Sequence, residues 1–145
     1  MNRINIVTIK MEKVKSMLVK NKNIISPKEA FEIVSEYLQG VDREHMVLLT
    51  LDVKNVVTSI STVSIGSINT SVVHPREVFK TAILSNAASI ILAHNHPSGD
   101  VTPSKQDINI THRINECGKI LGIDLLDHLI IGDDTYTSLK EKGIV

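Results

Sequence analysis

The chain has 145 residues, 42% of them hydrophobic, and its 16 basic residues balance its 16 acidic ones. A chain of this length buries roughly two thirds of its unfolded surface, so one domain can fold without disulfides or a structural metal. The single Cys117 cannot form an intramolecular disulfide, which indicates a reducing compartment. Because no apolar run reaches the roughly 18 residues of a membrane span and the N-terminus lacks a signal-peptide layout, we expect a soluble, cytoplasmic protein without a membrane partner.

Basic residues are concentrated at the N-terminus. The first 25 residues contain six Lys and Arg but only one acid, Glu12, although the net charge of the whole chain is zero. A neutral chain argues against a domain surface that binds nucleic acid strongly. We predict a basic arm or strand over residues 1–25, which is either solvated or in weak contact with a nucleic acid or acidic partner, and a single domain over residues 26–145. Nothing in the sequence indicates an oligomeric state.

Three helices are predicted from capping signals and apolar spacing. They cover residues 26–40, 75–86 and 104–122, and the third closes at either Gly118 or Gly122. In the second and third helices, the residues at core-facing spacing are Val78, Phe79, Ala82, Ile83, Ile110, Ile114, Cys117 and Leu121. Cys117 is therefore interpreted as a small hydrophobic residue of the core.

Strands are predicted between the helices. Residues 46–51 and 88–93 are apolar on both faces, as expected of central strands covered from two sides. Residues 56–60 and 61–65 are rich in β-formers but interrupted by small polar residues, which predicts two separate edge or meander strands. Residues 123–131 predict a further strand, and a short one follows at Tyr136. The order of elements predicts a three-layer α/β domain with a mixed sheet flanked by helices.

Potential metal ligands follow the second central strand. His94 and His96 are two residues apart, so both imidazoles leave the strand end on the same side. Asp107 lies in the first turn of the third helix, on the face that packs on the sheet. We hypothesise that the three side chains form a two-His, one-carboxylate Zn²⁺ site with a fourth position for water. The alternative is a polar strand end followed by a helix whose Ser104 and Asp107 form a capping box that needs no metal.

The segment from His94 to Asp107 reads His-x-His-Pro-x₆-Ser-x₂-Asp, and this pattern resembles the JAMM motif of the JAB/MPN metalloproteases, in particular their RadC-type branch. The resemblance runs from about Ser26 to the C-terminus and includes residues 74–77 and 126–132. It implies a three-layer JAB/MPN-like, cytidine-deaminase-like fold. The helix-hairpin-helix DNA-binding region of longer RadC proteins is not expected here, because the basic arm is too short to form it.

The resemblance also implies the role of each site residue. Zn²⁺ would be held by His94, His96 and Asp107. The hydroxyl of Ser104 would help to hold the tetrahedral oxyanion that forms when water attacks an amide. Glu44, which immediately precedes the first central strand, would take a proton from the attacking water and pass it to the leaving nitrogen. A solvated surface charge is the alternative interpretation of Glu44.

Two further residues are candidates for a supporting role. Asp127 and His128 lie on a predicted strand, and either could hydrogen-bond to a ligand imidazole; an ordinary strand-end pair is the alternative. We expect His74 to mark the entry to the second helix. His112 lies off the inward stripe of the third helix, so we expect it to be exposed to solvent.

Three functions are compatible with these residues. The first is a zinc-dependent hydrolase that cleaves an amide, peptide or isopeptide bond of an unknown peptide or protein substrate. The second is a DNA repair or nucleic-acid processing factor, which the RadC resemblance and the basic arm favour. The third is a non-catalytic scaffold of the same fold. We favour the hydrolase because ligands, base and oxyanion donor are all present, whereas loss of catalysis usually removes a ligand.

Overall fold

The computed structural model describes residues 1–68 and 73–145. Over these residues the chain forms three helices and five strands, which are α1 (Pro27–Tyr37), β1 (His45–Leu51), β2 (Val57–Ile65), α2 (Pro75–Leu84), β3 (Ser89–Asn95), α3 (Lys105–Leu121), β4 (Asp124–Ile131) and β5 (Tyr136–Ser138). In that part of the chain, no helix is both long enough and apolar enough to cross a membrane.

The strands form one mixed sheet in the order β2-β1-β3-β4-β5. The pair β3 and β4 is parallel, and every other neighbouring pair is antiparallel. The central strands β1 and β3 are almost completely buried. The predicted mixed sheet and its two central strands are therefore confirmed.

Alternate residues of the central strands face two separate apolar cores. On β1, Met46 and Leu48 pack with residues of α2 and α3, whereas Val47 and Leu49 pack with residues of α1. The sheet is thus covered by α1 on one face and by α2 and α3 on the other. This arrangement confirms the predicted three-layer α/β architecture.

The end of α3 distinguishes between its two glycines. Gly122 occupies the C-cap with a left-handed φ of 73°, a conformation that favours glycine. Gly118 lies inside the helix against the backbone carbonyl of Ile123, and a Cβ at this position would overlap that carbonyl. Gly122 therefore closes the helix, while Gly118 permits close packing of the helix on the chain that follows it.

The prediction of two edge or meander strands over residues 56–60 and 61–65 is wrong in dividing the segment. Residues 57–65 form the single strand β2, which lies at the edge of the sheet and pairs with β1 along its length. The register shifts twice, between Met46 and Val47 and between Thr50 and Leu51 of β1. These irregularities accommodate extra residues without ending the strand, as β-bulges do.

The prediction that Ile83 and Leu121 face the core is also wrong. Their exposed fractions are 51% and 47%. Both line an open apolar groove of about 410 Å³ between α2 and α3, whose floor includes Phe79 and Cys117. Because this groove between the two helices is open, residues with inward spacing remain in contact with solvent.

The N-terminal arm contacts the domain at Met17, which packs against the core that α1 covers, and pairs with the chain before β2 at its last residues. Nearly all side chains of residues 1–22 are exposed, and this segment forms no helix or strand. An antiparallel bridge then joins Asn23 to Val56 at the start of β2. On its two sides, Ile24 N donates to the Asn55 carbonyl at 2.9 Å and Val57 N donates to the Lys22 carbonyl at 2.8 Å.

Candidate metal centre

The two histidines lie where β3 meets the loop that leads to α3. His94 is on the same face of β3 as Leu92 and is completely buried, whereas His96 follows the strand and is partly exposed. The chain is fixed here because His96 N donates to the Ile131 carbonyl at 2.9 Å, which extends the pairing with β4. The His96 Nδ1 lies 2.6 Å from the Asp100 carbonyl, so its Nε2 is directed towards His94.

Asp107 serves the cap of α3 and the candidate metal site together. Asp107 N donates to Ser104 Oγ at 3.0 Å, and Ser104 N donates to Asp107 Oδ2 at 2.8 Å. The other carboxylate oxygen, Oδ1, lies 3.1 Å from His94 Nε2. The capping box is therefore formed, and it holds the carboxylate in an orientation that faces the imidazoles. The capping box and the candidate metal site, which the sequence presented as alternatives, can therefore share Asp107.

The three candidate ligands stand at separations suited to one metal ion. His94 Nε2 is 3.1 Å from His96 Nε2 and 3.1 Å from Asp107 Oδ1, and His96 Nε2 is 3.3 Å from Asp107 Oδ2. With bonds of about 2.0–2.1 Å, the ligands of a tetrahedral zinc are about 3.3 Å apart. The donor set and its spacing therefore fit such an ion, and the cluster could bind a metal.

The environment keeps Asp107 ionised. Burial by itself would raise the pKa of this carboxyl. The hydrogen bond and the charge interaction with His94, together with the hydrogen bonds from Ser104, outweigh burial and hold the pKa well below its usual range. Asp107 is thus a carboxylate at neutral pH, which is the form that binds a cation.

Glu44 and Ser104 border the same cavity. The cavity has a volume of about 370 Å³, and its lining includes Glu44, Ser104, His96 and Asp107. His94 lies beneath them, without exposure to solvent. The structure therefore brings four of the five residues that the sequence predicted for metal binding and catalysis to the lining of one cavity, and the fifth, His94, contacts His96 and Asp107.

Backbone contacts on both sides of Glu44 fix its position. Glu44 O accepts from Gly66 N at 2.8 Å, and its carboxylate Oε2 accepts from Ile68 N at 3.0 Å. The Asn95 side chain accepts from His45 N at 2.7 Å and donates to the Arg43 carbonyl at 3.0 Å. Asn95 thus hydrogen-bonds to the residues immediately before and after Glu44. Sequence reasoning missed this role, although Asn95 stands between the two histidines of the motif.

Ser104 retains a hydrogen-bond donor that can act in the cavity. Its Oγ accepts from Asp107 N through a lone pair, which leaves the hydroxyl proton available. Because Ser104 is the N-cap of α3, its position is set by the start of the helix. A donor anchored in this way could serve an oxyanion.

His128 contacts a candidate ligand, whereas Asp127 serves a different part of the fold. His128 Nε2 lies 2.8 Å from His94 Nδ1. The Asp127 carboxylate accepts from Ser138 Oγ at 2.6 Å and from Lys140 N at 3.0 Å, so it ties β4 to β5 and the turn that follows. Burial raises the pKa of the Asp127 carboxyl. Burial, together with the charge of His94, lowers the pKa of His128 well below its usual value.

The other histidines stand apart from the cavity. His112 is exposed on α3, and His74 is the N-cap residue of α2, as expected from the sequence. No pattern in the sequence indicated a role for Thr111, which is completely buried and whose Oγ1 lies 2.6 Å from His128 Nδ1. A helical threonine in mid-sequence is ordinary, and its role depends on which strand packs beside it.

The fold and the site define an α/β domain of the JAB type, with a His-x-His pair at a strand end and an aspartate at the start of the next helix. The sequence model of the RadC-like JAB domain matches residues 24–144. The chain therefore belongs to the RadC-like JAB domain family.

Several curated relatives are similar over most of the chain. A UPF0758 protein of Clostridium acetobutylicum is 57% identical over 122 residues, which cover 84% of this chain and 53% of the relative. UPF0758 proteins of Clostridium tetani and Desulforamulus reducens are 54% and 56% identical, over 86% and 82% of this chain and 55% and 52% of their own lengths. The chain thus spans about half the length of the curated relatives it matches.

Proposed function

We propose that this domain is a zinc-dependent hydrolase of the JAMM type that cleaves an amide, peptide or isopeptide bond. The observation that supports the proposal is a cluster of three side chains, His94, His96 and Asp107, whose nearest donor atoms lie 3.1–3.3 Å apart. The cluster borders a cavity that Glu44 and Ser104 also line. A metal site alone would serve structure as well as catalysis. An adjacent carboxylate and hydroxyl at an open cavity are the further groups that hydrolysis requires.

Each residue has a defined task in this mechanism. Zinc, when bound, would polarise the attacking water and the substrate carbonyl. Glu44 accepts a proton from that water and delivers it to the leaving nitrogen. Among the residues that the structure describes, Ile68 N binds Oε2 and none binds Oε1, so we assign this transfer to Oε1. The Ser104 hydroxyl donates to the oxygen that becomes negative at the tetrahedral stage. One water is consumed, and a carboxylate and an amine leave.

The direct test uses protein purified without metal and then reconstituted. We expect one Zn²⁺ per chain and cleavage of a member of a peptide and isopeptide panel, with cleavage abolished by a chelator and restored by added zinc. Stoichiometric zinc without any cleavage would contradict the hydrolase and favour a scaffold. Zinc-dependent cleavage of nucleic acid in place of peptides would favour the processing function.

Contact with nucleic acid through the arm is a separate proposal, supported by the exposed basic residues of the arm. Its net charge of about five would give weak binding with a log-log salt slope of about −4 to −5. Deletion of residues 1–20 retains the pairing of Lys22 and Asn23 with β2, so it tests the charges without cutting the sheet. We expect it to abolish binding in a salt titration and to leave zinc content unchanged.

A matched control keeps the length of the arm and removes its charge. Replacing Lys10, Lys13, Lys15 and Lys20 with Gln should weaken binding as much as the deletion does. Binding that survives both changes would locate the nucleic-acid surface on residues 26–145 and would overturn the proposed role of the arm.

A further inference from the structure

A buried chain of hydrogen bonds runs behind the candidate metal site. Thr111 Oγ1 lies 2.7 Å from the Asp107 carbonyl and 2.6 Å from His128 Nδ1. On the other side of the ring, His128 Nε2 lies 2.8 Å from His94 Nδ1. Thr111, His128 and His94 have no exposure to solvent, so water cannot complete or reverse these bonds.

Thr111 has a single hydroxyl proton, and this proton determines which atom donates in each of these hydrogen bonds. That proton goes to the Asp107 carbonyl, because a carbonyl oxygen can only accept. Thr111 Oγ1 then offers His128 a lone pair, so His128 carries its proton on Nδ1. In the neutral ring, His128 Nε2 is an acceptor, and His94 must donate to it from Nδ1. In its neutral form, His94 therefore carries no proton on Nε2, the nitrogen that faces His96 and Asp107.

A histidine that hydrogen-bonds to a ligand histidine fixes the tautomer of that ligand only if its own tautomer is fixed. Metal-binding imidazoles usually donate their second N–H to a carboxylate or a carbonyl, which can only accept and therefore fixes the tautomer without assistance. An imidazole can accept or donate, so His128 alone would leave the tautomer of His94 undetermined. The Asp107 carbonyl, acting through Thr111, supplies the missing direction.

We propose that Thr111 is a positioning residue that acts through His128 to hold His94 in the tautomer whose Nε2 is free to bind the metal. The inference rests on the metal site of the proposed function but does not depend on hydrolysis. If these hydrogen bonds were reversed, Thr111 would donate its proton to His128 Nδ1. Its Oγ1 and the Asp107 carbonyl oxygen would then face each other without a proton between them. The proton of His94 would then occupy Nε2, where the metal would have to displace it.

The test compares Thr111→Val, which keeps the shape but removes the hydroxyl, with Thr111→Ser, which keeps the hydroxyl. Zinc affinity is measured by competition with a chromophoric chelator, and thermal unfolding of each variant verifies that it is folded. We expect Thr111→Val to bind zinc about 10–100-fold more weakly than the wild type. Thr111→Ser should restore the wild-type affinity, which a purely space-filling role of Thr111 would not predict.

A second measurement needs no variant. Nitrogen-15 NMR of the imidazole rings reports which nitrogen is protonated, and we expect His128 to carry its proton on Nδ1 in both the metal-free and the zinc-loaded wild type. A proton on His128 Nε2, or equal zinc affinity of the Val and Ser variants, would overturn the inference. Zinc binding without any hydrolysis would contradict the proposed function and leave this chain of bonds intact.

Discussion

Replacement of Glu44 by Gln is expected to lower kcat for amide hydrolysis by about 100-fold or more without loss of bound zinc. Glutamine keeps the size of the side chain, and its amide oxygen can still accept the hydrogen bond from Ile68 N. What it loses is the ability to accept a proton from water at neutral pH. The measurement pairs steady-state kinetics with metal analysis of the same preparation.

Glu77→Gln is the matched control for this substitution. Glu77 is exposed on α2, and its carboxylate lies 2.8 Å from Lys80 Nζ, so its charge serves a surface ion pair of small energetic effect. We expect full activity in this variant. Loss of zinc from Glu44→Gln would mean that Glu44 supports the metal, and retained activity would remove it from the mechanism. A kinetic defect in Glu77→Gln instead would assign the base to α2.

Replacement of His96 by Ala is expected to weaken zinc binding by more than the roughly 10–100-fold typical of changes in the groups that support a ligand. His96 is the better choice of the two histidines because it lies at the edge of the site, whereas His94 is completely buried against His128. The fold should survive, since the two apolar cores consist of side chains other than the candidate ligands. Isothermal titration with zinc and thermal unfolding measure the two effects separately.

His112→Ala controls for the loss of any imidazole. This side chain is exposed on α3, away from the cavity, so zinc affinity should equal that of the wild type. Equal affinity of His96→Ala and the wild type would exclude the proposed ligand set. Unfolding of His96→Ala together with metal loss would show that the ion stabilises the fold, contrary to our expectation.

The fold was largely predictable because its signals are local. Capping residues mark the starts of α1 and α3, and two apolar segments mark the central strands. The continuity of β2 was not predictable, because its bulges are defined only by pairing with β1. The exposure of Ile83 and Leu121 depends on the open groove between α2 and α3, which helical spacing does not encode.

In the candidate site too, the residues of one local motif were predictable, whereas residues whose partners are distant in sequence were not. The three candidate metal ligands and Ser104 lie within a span of 14 residues, so a single motif predicted them. Asn95 and Thr111 escaped notice because their partners, Arg43 and His128, are distant in sequence. The order of residues placed Glu44 before β1, but its location in the cavity depends on contacts across the sheet. The roles of these residues in metal binding and catalysis stay predictions.

The hydrogen bonds of Asn95 to the residues on both sides of Glu44 link the candidate site to the pairing of β1 and β3. Met46 of β1 is paired with His94 of β3, so a candidate ligand and the chain beside the candidate base Glu44 are held by one pair of adjacent strands. Slipping β3 by a single residue would turn His94 to the opposite face of the sheet and carry Asn95 away from Arg43. One slip would therefore displace a candidate ligand and remove the contacts of Asn95 on both sides of Glu44. The candidate site thus depends on the register between β1 and β3.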